Sequence, residues 1–220
     1  MRYAIYYTPL QHHPLTKCVE SWLGRSAFSD QKISTSHGLD RFLDAPRKYG
    51  FHGTLKAPFH LADGVSEKEL VELFDRFAAN HQTLTIDKIT LARLGNFLAL
   101  VPASHSQELN TLADDVVRTF EHLRAPLSDV DLKRRNPSKL PDRQREYLMR
   151  WGYPYVFEEF NFHLTLTGNV PKPDQDSFEN AIRSHFSEFI DQPLLISSLG
   201  LFVERERGEP FTVKRTANLT

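Results

Sequence analysis

Apolar and polar residues alternate along two short stretches, Phe51-His52-Gly53-Thr54-Leu55-Lys56 and Phe162-His163-Leu164-Thr165-Leu166-Thr167. A period of two is the mark of a β-strand with one face buried. In the first stretch Phe51 and Leu55 fall on the apolar face, and His52, Thr54 and Lys56 on the polar one. In the second, Phe162, Leu164 and Leu166 oppose His163, Thr165 and Thr167. The spacing predicts strands at about 50–57 and 161–168, each presenting an imidazole beside a hydroxyl.

The same reading extends along the chain. Residues 2–7 predict a strand, and Pro14 starts a helix with Leu15, Cys18, Val19, Trp22 and Leu23 on one side. Residues 24–46 are mixed and punctuated by Gly24, Gly38 and Pro46, which predicts a long loop. Ser66 and Glu69 form a capping box, opening a helix to about 79 with Leu70, Phe74 and Phe77 buried. Strands at 84–94 and 97–101 turn through Gly95-Asn96 as a hairpin. Leu109, Leu112, Val116, Phe120 and Leu123 mark a helix at about 106–124. Residues 125–160 are interrupted by prolines and hold a short helix near 142–150. A helix at about 174–189 follows, then a closing hairpin with arms at about 194–204 and 210–215. Helix, strand, turn, strand thus follows each histidine strand. The offsets agree too: 111 residues from His52 to His163, 110 from Leu84 to Leu194 and 114 from Phe97 to Phe211. This predicts a single domain, 1–220, of two pseudo-symmetric lobes, each giving one histidine strand to a central cleft. The fold class is α+β, mostly antiparallel, with helices on the outer faces.

Composition narrows the function. Lys+Arg 27 against Asp+Glu 28 gives a net charge of −1, which excludes a global basic field for duplex nucleic acid. The lone Cys18 offers neither an intrachain disulfide nor a thiolate cluster, in keeping with a reducing, cytoplasmic setting. No stretch approaches the ~20 apolar residues of a membrane span, so no membrane partner is expected. There is no glycine-rich phosphate loop, dinucleotide fingerprint, His-Glu-x-x-His helix or nucleophile elbow. Asp129-Val130-Asp131 alone is too little for a cation site. Neither metal nor cofactor is expected.

His-x-Thr occurs three times, at His52, His81 and His163. His81-Gln82-Thr83 lacks the preceding Phe and the following alternation, and reads as a surface turn. The other two suit acid–base work. With an unperturbed pKa of about 6.5, one imidazole can be neutral while its partner is protonated. One then activates a nucleophile and the other protonates a leaving oxygen. Thr54 and Thr165 can donate to phosphate oxygens, and Lys56 would add positive charge on the same strand face. Arg47 and Tyr49, just ahead of the first motif, are further candidates for substrate contact, Tyr49 only if Gly50 kinks the strand. Residues 133–150 carry Lys133, Arg134, Arg135, Lys139, Arg143, Arg145 and Arg150, either a solvated face or a basic flap over the cleft.

At these residues the chain resembles the 2H phosphoesterase superfamily, within it the branch associated with phosphonate-metabolism operons. Tyr49-Gly50-Phe51-His52-Gly53-Thr54-Leu55-Lys56, Trp151-Gly152-Tyr153-Pro154-Tyr155 and Phe162-His163-Leu164-Thr165-Leu166-Thr167-Gly168 carry the likeness. The resemblance implies a bilobal, pseudo-twofold fold with both motifs in one cleft. It also implies metal-independent chemistry on a cyclic phosphate or 2′-linked phosphodiester, here a ribose cyclic phosphate. His52 and His163 would be acid and base, in an order left open, and Thr54 and Thr165 the phosphate contacts. Asn161 stands where many relatives would carry a basic residue. The partner would be a small phosphate ester, nucleotide or short RNA end. The competing readings are an RNA or nucleotide-binding module without turnover and a ligase-direction RNA 2′-5′ enzyme.

Overall fold

The computed structural model describes residues 1–220 except Ser36. The strands are β1 (Arg2–Tyr7), β2 (Gly53–Phe59), β3 (Leu84–Leu94), β4 (Phe97–Pro102), β5 (Leu164–Thr165), β6 (Gln192–Ile196), β7 (Ser198–Glu204) and β8 (Thr212–Asn218). The helices are α1 (Pro14–Leu23), α2 (Asp44–Tyr49), α3 (Glu67–Ala79), α4 (Gln107–Thr119), α5 (Asp129–Arg135), α6 (Asp142–Trp151) and α7 (Gln175–His185). The fold is α+β, as the sequence predicts.

The strands form one sheet in the order β6-β3-β4-β5-β2-β1-β7-β8, antiparallel at every described pairing. The histidine strands β2 and β5 are its two central members, with three strands outside each. Sequence spacing had equated β3 with β6, yet these are hydrogen-bonded neighbours, with Ile86 opposite Leu194. By position in the sheet, β3 corresponds to β7 and β6 to β8. The expected arm at 194–204 is likewise two strands. Its apolar run reads as continuous, but at Ser197 the chain leaves one edge and enters β7 on the far side of the sheet.

A one-residue connection between such distant positions requires the sheet to curl. Main-chain bonds after β8 hold the curl: Leu219 N–H donates to Ser197 O (2.9 Å), Thr83 N–H to Thr220 O (2.8 Å) and Thr220 N–H to His81 O (2.9 Å). Helices cover the sheet with their apolar stripes. Ser66 caps α3 through the predicted box, and Leu70, Phe74, Phe77 and Ala78 are buried. Leu109, Leu112, Ala113, Val116 and Val117 of α4 and Phe178 and Ile182 of α7 do the same. Among the described residues no helix is long and apolar enough to cross a membrane.

Two helices fall where irregular chain is expected. α2 ends the presumed loop 24–46, and α5 opens the proline-rich segment with Ser128 as its N-cap. Both are short, too short for a 3.6-residue period to declare itself. The second histidine strand shrinks to two ladder residues, because Leu166 and Thr167 both donate to Leu98 O instead of continuing the register.

Candidate active site

β2 and β5 meet at Gly53 opposite Leu164. Extending that antiparallel register by one residue sets His52 across from Thr165 and Thr54 across from His163. The four polar side chains then share one face, and the two histidines lie diagonally, roughly 7–8 Å apart. The approach is close: a Cβ on Gly53 would lie 2.3 Å from the Phe162 ring. Glycine in the first motif is what lets the second strand lie against it.

Each imidazole is fixed in the same way. His52 Nδ1 bonds Gly50 O at 2.8 Å, and His163 Nδ1 bonds Asn161 O at 2.8 Å. A carbonyl only accepts, so both Nδ1 atoms carry hydrogen, and in the neutral ring Nε2 is the acceptor nitrogen. Gly50 aims its carbonyl with φ 73° and ψ 171°, a conformation that favours glycine, and a Cβ there would sit 2.7 Å from Ala27 Cβ. The contribution of Asn161 to His163 is thus its main-chain carbonyl.

Tyr6 lies flat against His52, ring centroids 3.9 Å apart and planes 24° apart. Burial pushes the His52 pKa down to about 4, against the bond to the Gly50 carbonyl, which raises it, and with a smaller lowering from the neighbouring His163. His52 is therefore neutral at pH 7. Burial likewise holds the Tyr6 hydroxyl well above its ordinary value, so it stays protonated.

A cavity of about 510 Å³ opens over this face, lined by His52, Thr54, Thr165, Tyr49, Arg135 and Tyr153 among others. His163 lines an adjoining groove of about 900 Å³. Thr54, Phe97 and Tyr153 border both, so the two spaces meet at the motif pair.

The family described as "Protein of unknown function (DUF1045)" matches residues 54–212, a span holding Thr54, His163 and Thr165. The chain belongs to the DUF1045 family. It is 37% identical over 222 residues to the ribose 1,5-bisphosphate phosphokinase PhnN of Janthinobacterium sp. (strain Marseille), covering 96% of this chain and 49% of that protein. To the PhnN of Laribacter hongkongensis (strain HLHK9) it is 34% identical over 220 residues, covering 98% and 51%. The chain spans about half the length of these curated relatives. A solved structure described as that of a phosphoesterase is similar at 13% identity and TM-score 0.48, covering 100% of this chain and 98% of that one.

Of the residues expected to contact substrate, the DUF1045 chain brings Thr54, Thr165 and Tyr49 to the cavity wall beside His52. Tyr49 is the last residue of α2 rather than part of a kinked strand, followed by the positive-φ Gly50, and it stacks on Phe211 at 5.3 Å. Lys56 does not line that cavity. Between Tyr6 opposite Thr54 and Ile5 opposite Lys56 the register slips by one residue. Such a bulge reverses the phase of the strand. Lys56 is turned away, 4% exposed, bonding Glu121 at 2.8 Å and Val117 O at 3.2 Å, and Ala57 takes the cavity position. Arg47 is also absent from the cavity wall, bonding Leu23 O at 2.6 Å and Asp40 at 2.5 Å to tie α2 to the end of α1.

Several cavity residues escape the sequence reading of the site. Tyr6 was legible only as part of a strand, since its stacking depends on how β1 pairs with β2. Phe97 carries no local signal, and Tyr153 only its place in the Trp151–Tyr155 stretch. Arg134 and Arg135 did have one, the basic run, and of that run they are the members that reach the wall.

Proposed function

We propose that this DUF1045 protein is a metal-independent phosphoesterase of the 2H type that opens a ribose-based cyclic phosphate. The observation that carries the reading is the doubled histidine geometry. Two imidazoles, each immediately ahead of one of the paired central strands, have Nδ1 tied to a carbonyl two residues back, which leaves each Nε2 free of that bond beside the space that Thr54 borders.

His52, neutral at pH 7, is the general base and His163 the general acid. Thr54 and Thr165 donate to the non-bridging oxygens and hold phosphorus between the rings. Water loses a proton to His52 Nε2 as its oxygen bonds to phosphorus. The ring P–O bond breaks, and His163 delivers a proton to the departing sugar oxygen. One water is consumed and an acyclic phosphomonoester is left. Each transfer is typically worth ~10²–10⁴ in rate. The ribose part of the substrate is drawn from the name shared by the curated relatives. Their kinase activity is not ascribed to this chain, whose sequence has no glycine-rich phosphate loop.

The test is turnover of 2′,3′-cyclic nucleotides and of ribose cyclic phosphates by purified protein in EDTA. His52→Ala and His163→Ala should each lower kcat by at least about 10²-fold, with unchanged circular dichroism. Full activity in both variants would end the acid–base mechanism, and binding without turnover in the wild type would make the cleft a recognition site.

A further inference from the structure

The cavity wall is more cationic than the reaction needs. Three arginines line it, Arg2, Arg134 and Arg135, and among the described lining residues there is no carboxylate. Arg2 is accounted for, paired with buried Glu204 at 2.5 Å. The other two are not. Arg134 comes only within 3.9 Å of Asp131, whose carboxylate already accepts from Arg207 at 2.9 Å and from Ser128 at 2.7 Å. Arg135 makes no ion pair among the described residues. Its guanidinium lies over the Tyr153 ring, 4.7 Å from the centroid, and burial presses its pKa below the ordinary arginine value. A half-buried guanidinium without a counter-ion is costly unless an anion completes it.

Both side chains come from the last turn of α5, which Asn136 ends in a left-handed conformation. A helix C-terminus tolerates cations anywhere on its rim. Here two consecutive residues, which point about 100° apart on a regular helix, border one cavity. They are carried by α5, an element separate from β2 and β5. Tyr49 and Tyr153 line the same cavity.

We infer that Arg134 and Arg135 form a second phosphate subsite, so that the substrate is a sugar carrying a remote phosphoryl group in addition to the cyclic phosphate that reacts. The inference rests on the phosphoesterase reading for the reacting end and deepens it. The cyclic phosphate sits at the histidines, the sugar between Tyr49 and Tyr153, and the remote dianion at the arginines. Paired guanidinium N–H groups match phosphate oxygens in the planar, charge-assisted geometry that arginine supplies better than lysine.

Two measurements test it. Adenosine 2′,3′-cyclic phosphate with and without a 5′-phosphate should differ in kcat/KM by about tenfold or more in favour of the phosphorylated form. In Arg134→Gln/Arg135→Met that ratio should fall to near one. Equal use of the two by the wild type, or a preference that survives the double substitution, would overturn the subsite. Ribose 5-phosphate, which has no ring to open, separates this from the catalytic reading. In calorimetry it should bind wild type and His52→Ala alike and lose about tenfold or more in affinity in the double variant. Such binding without turnover of either cyclic compound would retain the subsite and remove the catalytic reading. No binding, or equal binding by the double variant, would remove the subsite whatever the turnover.

Discussion

His52 shows how one side chain is prepared by its neighbours. Tyr6 covers one ring face, Gly50 fixes the tautomer, and burial with His163 disfavours the charged form. A free imidazole titrates near 6.5, whereas in the fold His52 titrates at about 4. Between these values the unfolded chain binds the extra proton, so stability rises with pH there and is lost as pH falls through the window. Chemical denaturation at pH 7 and pH 4.5 should show wild type losing on the order of 2 kcal/mol more than His52→Gln. Parallel losses in the two proteins would mean that the ring is not held neutral. The acid limb of kcat/KM should likewise lie well below 6.5 if His52 is the base.

Between elements, the decisive feature is how closely β2 and β5 approach. Gly53→Ala puts a Cβ into the Phe162 ring, overpacking that typically costs about 1–3 kcal/mol. Because the shift falls between His52 and Thr54, activity should drop with the melting temperature, and adding Phe162→Leu should recover part of both. A Gly53→Ala protein with wild-type stability would show that the strands have slack. At this scale the sequence was informative where a pattern ran long. The alternation of 84–94, the Gly95-Asn96 turn and the Ser66–Glu69 box all name their elements correctly. It failed where a single residue changed the phase. Lys56 continues the alternation on paper, and only pairing with β1 reveals the bulge that turns it toward Glu121. Arg47 beside the motif gave no hint that Asp40 and Leu23 O would claim it.

At the scale of the molecule, the curl of the sheet joins its two edges through Ser197 and the C-terminal bonds to residues 81–83. The repeat was legible as two equivalent histidine strands. Their placement as the two central strands of one sheet was not, because β6 and β7 run together in sequence while standing far apart in strand order. That arrangement brings the two hexamers side by side, and the register of Gly53 opposite Leu164, carried one residue further, sets each histidine across from the other motif's threonine, as the proposed site requires. A crystal structure of the protein soaked in inorganic phosphate tests this most directly. A phosphate should lie between the rings, within hydrogen-bond distance of both Nε2 atoms and of the Thr54 and Thr165 hydroxyls. Phosphate bound only elsewhere, with both imidazoles left untouched, would contradict it.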